Sequence, residues 1–243
     1  MAEAKQTIDY LACESGELNG NITFTFTPQE ANRWHKLYVA YINPQNRVVI
    51  FDDRKLGKAS DLTPVTRSYT VPINFREEIY ESYPTKKMVQ LEFWVTAYTN
   101  SNYTAAAANG IIKPLFVNFP HSEVGPEAEL WVAPVSDLSA PLSSLYIPGK
   151  TKVIGEMPKD KWVGKYGAEV LSAVITVGTQ SGESPFTSDY ITGANSFYVK
   201  GTVTDTRGIS TTYQQLITPT VASIPQLLPV EGNSSVIVAR WKV

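Results

Sequence analysis

A single cysteine, Cys13, stands in 243 residues. No disulfide can form within the chain. This excludes the cross-bridged immunoglobulin domain of antibodies and fits folding in a reducing cytoplasm, with each domain held by its core alone. Cys13 itself reads as a small buried hydrophobe. Histidine is nearly as scarce, at two residues, His35 and His121. No His or Cys pair has metal-ligand spacing, so no metal residue is assigned. A nucleophile elbow, a phosphate-binding loop and a dinucleotide fingerprint are all missing. The adjacent carboxylates Asp52–Asp53 and Glu77–Glu78 do not make an acid/base couple, because adjacent residues in a strand point to opposite faces and those on a helix do not face each other. We therefore assign no catalytic or cofactor-binding residue, expect no cofactor, and read the chain as a non-enzyme.

Charge is also low. Lys and Arg number 21 against 23 Asp and Glu, for a net −2. Without a basic patch, nucleic acid is not an expected partner. No run of about 18 apolar residues exists, so no membrane insertion is expected. The opening Met-Ala-Glu-Ala-Lys-Gln lacks the apolar core of a signal peptide. If the protein acts outside a cell, the expected exit is lysis or incorporation into a particle. The hydrophobic fraction of 43% is globular and excludes the disordered class.

What is present is strand after strand. Ile22-Thr-Phe-Thr-Phe-Thr27 alternates with period two, and Leu37, Val39 and Tyr41 repeat that pattern. Val48–Phe51 is a short apolar run, closed by Asp52–Asp53 as a turn. Tyr69, Val71 and Ile73 alternate around Pro72, which predicts an edge or bulged strand. Val89, Leu91, Phe93, Val95 and Ala97 make the clearest strand of the first half, with Trp94 and Tyr98 on its other face. Ile111–Phe119 closes the set. One short helix is predicted over Phe75–Ser82, with Asn74 as N-cap and Phe75 and Ile79 turned to the core. Ala105–Ala108 are too few to nucleate a helix and read as a loop.

From His121 to Gly149 the prolines 126, 134, 141 and 148 crowd a stretch that regular strands do not tolerate, although Leu130–Ala133 has the makings of a short strand. Residues 1–120 are read as a first β-sandwich and 121–243 as a second, whose opening stretch is proline-rich and irregular. Strands resume at Thr151–Ile154, Val170–Val177 and Phe197–Thr204. Asp205-Thr-Arg-Gly208 reads as a tight hairpin turn, with Gly208 at positive φ. Ile209–Ile217 returns, and Ser234–Trp241 makes a last strand. Strands at intervals of roughly 8–12 residues argue for an all-β fold of two immunoglobulin-like sandwiches in tandem.

With no chemistry to assign, exposed aromatics are the functional lead. Tyr98, Tyr103, Tyr166, Tyr190 and Tyr213 are candidate interaction residues, since Tyr enriches protein interfaces and stacks on sugars. Arg207, at the tip of the 205–208 turn, is a further candidate as a receptor contact. Its alternative is a structural turn.

Phe197-Tyr-Val-Lys-Gly-Thr-Val-Thr-Asp-Thr-Arg-Gly-Ile-Ser210 resembles a motif of siphophage minor structural proteins. In that family an alternating strand ends in Val-Thr-Asp-Ser-Arg-Gly, and here Thr206 replaces Ser. Tyr146-Ile-Pro-Gly-Lys150 is similar to the family's opening of its second module. Lys165-Tyr-Gly-Ala-Glu-Val-Leu-Ser172 resembles its Tyr-Gly-Ala-x-Ile-x-Ser segment. In the first half, Ser68-Tyr-Thr-Val-Pro-Ile-Asn-Phe75 resembles the strand that leads into a short helix, with Tyr69 for Trp. Phe93–Tyr98 stands where the family has a strand ending in Thr-Tyr. These marks cover roughly residues 20–220. The resemblance implies tandem immunoglobulin-like modules in a virion, in the tail or baseplate, made in the host cytoplasm. It implies other virion proteins and copies of the chain itself as partners. Capsid decoration is one alternative, and a host-surface adhesin or carbohydrate-binding module, with a cell-surface glycan as partner, is another. The resemblance names no catalytic residue.

Overall fold

A computed structural model describes residues 5–140 and 142–220, together with the backbone of two short strands, Gln226–Leu227 and Trp241–Lys242, that pair antiparallel. The strand expected over Ser234–Trp241 lies outside the described residues except for its last position. The chain is all-β, and it divides into two compact units. The first comprises Met1–Glu127 with Val163–Leu171 and Thr204–Thr211, and the second Ala128–Trp162, Ser172–Val203 and Thr212–Val243.

In the first unit, β1 (Ile8–Cys13), β2 (Ile22–Phe26) and β5 (Val65–Tyr69) form an antiparallel sheet in the order β1-β2-β5. The second sheet contains β3 (Arg33–Ile42), β4 (Val48–Ala59), β6 (Met88–Tyr98), β7 (Ala106–Ala108) and β8 (Lys113–Asn118). Its order is β4-β3-β6-β7, with β8 also on β6. Period-two patterning decides which faces meet. Ile22, Phe24 and Phe26 are buried while Thr23 and Thr25 lie between them, half-buried. Thr25 is bonded to Thr66 across the β2–β5 pair at 2.8 Å. Opposite, Leu37, Val39, Leu91, Phe93 and Val95 are buried, and the Tyr69 ring meets Phe93 edge-on at 6.0 Å. Each such side chain contributes about 1.5–3 kcal/mol by leaving water, and together they hold the two sheets face to face.

Four local expectations need correction. Asp52–Asp53 is not a turn, since β4 runs unbroken for 12 residues. Instead Asp52 accepts a bond from Tyr69 Oη at 2.8 Å and pairs with Arg54 at 2.9 Å, so its turn-forming side chain is occupied elsewhere. The helix, α1, spans Ile73–Ser82, and its cap position is Pro72 rather than Asn74. The Pro72 carbonyl accepts the amides of Phe75 and Arg76, and proline's fixed φ suits a helix entrance. Pro72 therefore begins a helix instead of blunting a strand. Finally, Ala106–Ala108 is a strand on β6, not a loop, because tertiary pairing overrides alanine's helical propensity.

A short helical turn, α2 (His121–Val124), carries Glu123 into a polar knot in this unit. Arg76 donates to both Glu123 oxygens at 3.0 Å, Tyr80 Oη donates at 2.7 Å, and Asn19 adds a contact at 3.3 Å. Burial alone would raise the Glu123 carboxyl, but the bonds from Tyr80 and Arg76 outweigh it and hold it below its ordinary value.

In the second unit, β9 (Trp131–Ser136), β10 (Thr151–Glu156) and β13 (Phe186–Thr187) form a sheet in the order β13-β10-β9. Pro134 sits within β9, where it is tolerated because β9 is an edge. A second sheet has the order β12-β11-β14-β15, from β11 (Val170–Val177), β12 (Gln180–Glu183), β14 (Phe197–Asp205) and β15 (Ser210–Ile217); most of it belongs to this unit, while Val170–Leu171, Thr204–Asp205 and Ser210–Thr211 belong to the first. Gly155 and Gly201 show how closely the layers of this unit approach. A methyl on Gly155 would stand 2.5 Å from Ile175 Cγ2, and one on Gly201 2.5 Å from Met157 Sδ.

Candidate binding site

The six candidate residues fall in four places. Tyr98 and Tyr103 belong to an aromatic cluster on the outer face of the five-stranded sheet. On β3, Trp34, Lys36 and Tyr38 alternate with the inward His35, Leu37 and Val39. Register places Tyr38 opposite Trp94 and Trp34 opposite Tyr98. The Tyr38 ring stacks on Trp94 at 5.3 Å and 11°. Tyr38 and Tyr98 share a hydroxyl bond of 2.6 Å. Tyr103 closes the cluster edge-on to Tyr98 at 5.5 Å and to Trp34 at 6.0 Å.

Two cations complete this face. Lys55 lies over the Tyr103 ring at 5.4 Å, and Lys36 lies over Tyr38 while pairing with Asp53 at 2.7 Å. Burial, with the Tyr38 bond, pushes the Tyr98 hydroxyl up to about 12. Gly110 is needed here, because a methyl on it would stand 2.9 Å from Trp94 Cβ and Cδ1. Tyr103 holds φ at +57°, a conformation a bulky side chain resists, and the rings around it oppose its relaxation. Tyr98 is not the exposed contact expected, since the cluster covers it and it is buried.

Tyr166 and Arg207 come together in the first unit, Tyr166 half-buried and Arg207 buried. Arg207 is 5% exposed, which overturns its expected place as a receptor contact at a loop tip. Its Nε donates to Tyr83 O at 3.1 Å. Nη1 donates to Lys165 O at 2.9 Å and Asp205 Oδ2 at 3.4 Å, and Nη2 to Tyr80 O at 3.2 Å and Tyr166 O at 2.8 Å. All five guanidinium N–H donors thus have an acceptor, two of them carbonyls at the end of α1, where cations are favoured. The turn is built as expected. Gly208 has φ +77°, and Asp205 Oδ1 accepts the amides of Arg207 and Ile209 at 3.0 and 2.9 Å. Tyr166 sits at φ +49° and packs on the Tyr80 ring at 5.2 Å.

Tyr213 is half-buried, and its hydroxyl accepts the Ala128 amide at 3.1 Å. That bond gives it a structural task within the second unit.

Tyr190, the exposed one of the six, stands in an open cleft. The residue is 45% exposed, and one face of its ring carries Lys152 Nζ at 5.0 Å. The cleft measures about 320 Å³, and Gln180, Asp189, Tyr190, Thr192, Asn195 and Phe197 line it, with the Val177–Gln180 turn as one wall. The other wall is pinned to β10. Ser188 N donates to Val153 O at 2.9 Å, Ser188 Oγ accepts from Val153 N at 3.0 Å, and Ile191 N donates to Thr151 O at 2.9 Å. Asp189 N reaches Gln180 Oε1 at 2.9 Å and ties the two walls together. Sequence reading singled out Tyr190 but missed Gln180, Asp189 and Asn195, since nothing in their spacing marks them as neighbours.

Neither histidine gathers ligands. His35 is buried against Phe26 at 5.0 Å, and His121 Nε2 lies 2.9 Å from Ser210 O. Cys13 is half-buried rather than fully buried, and its thiol donates to Glu17 O at 3.2 Å. Among the described residues, no helix is long and apolar enough to cross a membrane.

No protein-family model and no curated protein matches the chain. Among solved structures, it is similar to a tetra-tandem repeat from the extending region of a large adhesion protein. The identity is 11% and the TM-score 0.31, over 89% of this chain and 50% of that one. It is also similar to a structure named pT26-6p, at 10% identity and a TM-score of 0.19, over 83% of this chain and 60% of that one. This chain therefore spans about half the length of the adhesion-protein structure.

Proposed function

We propose that the chain is a non-catalytic structural component of a bacteriophage virion, in the tail or baseplate, that works through protein–protein contacts. Its two units, on this reading, are sandwiches of the immunoglobulin-like kind. The observation that carries the proposal is the apolar surface left on edge strands. Phe116 on β8 is 60% exposed and Trp131 on β9 is 53% exposed, with Val135 further along β9 also open. Large side chains at unpaired edges invite a protein partner. Pro114 on β8 and Pro134 on β9 remove backbone donors there, which favours side-chain docking over strand addition. The siphophage resemblance points the same way. Its best-matched stretch, Val203–Gly208, forms a turn whose Arg207 is buried, as suits a structural module. Quantitative mass analysis of purified particles tests the proposal. A fixed copy number per particle supports it, and absence from particles whose host cells contain the chain refutes it. Sedimentation of the isolated chain tests the homo-oligomer, which Phe116→Ser should weaken if β8 is the contact.

A further inference from the structure

We infer that the cleft at Tyr190 binds a neutral pyranose, as the terminal residue of a glycan. A volume of about 320 Å³ is at the lower end of small-ligand sites and suits one or two sugar rings. Its chemistry is that of sugar recognition. Tyr190 offers an exposed aromatic surface for the apolar C–H face of a pyranose, and Phe197 lies in the same lining. Around it stand polar groups with nothing else to bind. Among the described residues, the Asp189 carboxylate, the Asn195 amide, the Thr192 hydroxyl and Gln180 Nε2 have no protein partner. Planar carboxylate and amide groups match vicinal hydroxyl pairs, one accepting and the other also donating.

Charge selects among ligands. The lining has one ionisable carboxylate and no cation, so phosphates, uronic acids and sialic acids meet repulsion without compensation. Lys152 lies against the Tyr190 ring, where a cation is attracted by the π face, and is not part of the lining. The site is also preorganised. Ser188 and Ile191 are anchored on β10, and the Asp189 amide is bonded to Gln180, so little ordering cost falls on binding. Gly178, at φ +59°, allows the narrow Val177–Gln180 turn that forms the facing wall.

This inference is independent of where the protein resides, and its test uses the isolated chain. Amide NMR shifts are followed while glucose, galactose, mannose and N-acetylglucosamine, with lactose as a longer probe, are titrated to about 50 mM, a range that detects millimolar affinity. At least one neutral sugar is expected to shift amides of 177–180 and 188–197 saturably. Tyr190→Ala and Asp189→Ala are each expected to weaken that binding about tenfold or more without lowering Tm. Sialyllactose is expected to bind at least about tenfold more weakly than lactose. No saturable shift with any neutral sugar, shifts confined to other surfaces, full binding by Tyr190→Ala, or equal binding of sialyllactose would each overturn the inference.

Discussion

Replacing Arg207 separates a structural lock from an exposed contact. In Arg207→Ala the guanidinium disappears from a place where its side chain and that of Asp205 are both 0% exposed. Asp205 keeps the backbone amides of Arg207 and Ile209 but loses its counter-charge. The carbonyls of Tyr80, Tyr83, Lys165 and Tyr166 lose the guanidinium together, although those of Tyr80, Tyr83 and Lys165 keep a backbone amide. Removing one partner of a buried pair costs about 3–5 kcal/mol, because the other charge remains buried. At an m-value of about 1–3 kcal/mol/M, the urea midpoint of the first unit should fall by at least about 1 M. Arg207→Lys should lie close to alanine, since one ammonium offers three donors from a point and cannot span carbonyls on both sides of a planar fork. Arg207→Met with Asp205→Asn should recover part of the loss, as removing both charges is cheaper than stranding one. Hydrogen exchange of the Ile73–Tyr83 segment localises the effect, with faster exchange expected at the end of α1. An Arg207→Ala protein within about 1 kcal/mol of the parent, with unchanged α1 protection, would refute the lock.

Gly208→Val should cost about 1–3 kcal/mol, read by denaturant unfolding, because valine resists the left-handed conformation held there. Burial lowers the pKa of His35, which is 1% exposed with neither ring nitrogen bonded to another side chain. A lowered folded pKa makes its contribution full above about pH 6.5 and lost as pH falls from there through the folded value, at up to about 1.4 kcal/mol per pH unit. His35→Phe should flatten the stability profile below about pH 6.5, and an unchanged slope there would contradict this. Glu123→Gln should cost about 1–3 kcal/mol by leaving Arg76 with weaker acceptors. The parent should also lose stability as pH falls from about 4.5 through the lowered Glu123 value, a loss the variant lacks.

The strands were the most legible feature, because one face of each is set by alternation. Val170–Val177 is found at the expected bounds, and β2, β3 and β6 bury the residues their patterns select. Two of the misplaced features share one cause, which is that a distant partner decided them. Asp52 looks like turn chemistry until Tyr69 and Arg54 occupy it. Ala106–Ala108 has no strand signal of its own and becomes one by pairing with β6.

Arg207 carries the point furthest. Within its turn, every local cue was correct, from the Asp205 bonds to the positive φ of Gly208. A charged residue at such a tip is ordinarily solvated, and the cue that reverses this lies more than a hundred residues away. At the end of α1 the carbonyls of Tyr80 and Tyr83 each accept one backbone amide and keep a lone pair free for the guanidinium. Neither feature alone calls for the other. A helix terminus in want of a cation and a buried-turn arginine in want of acceptors become legible only as a pair. The same logic separates the candidate tyrosines. Tyr98, Tyr166 and Tyr213 are held by partners that sequence does not place beside them, whereas the Tyr190 ring keeps an open side over groups that have no other partner. Open polar groups around an exposed ring, rather than exposure of the ring itself, are what distinguish a binding cleft from ordinary packing.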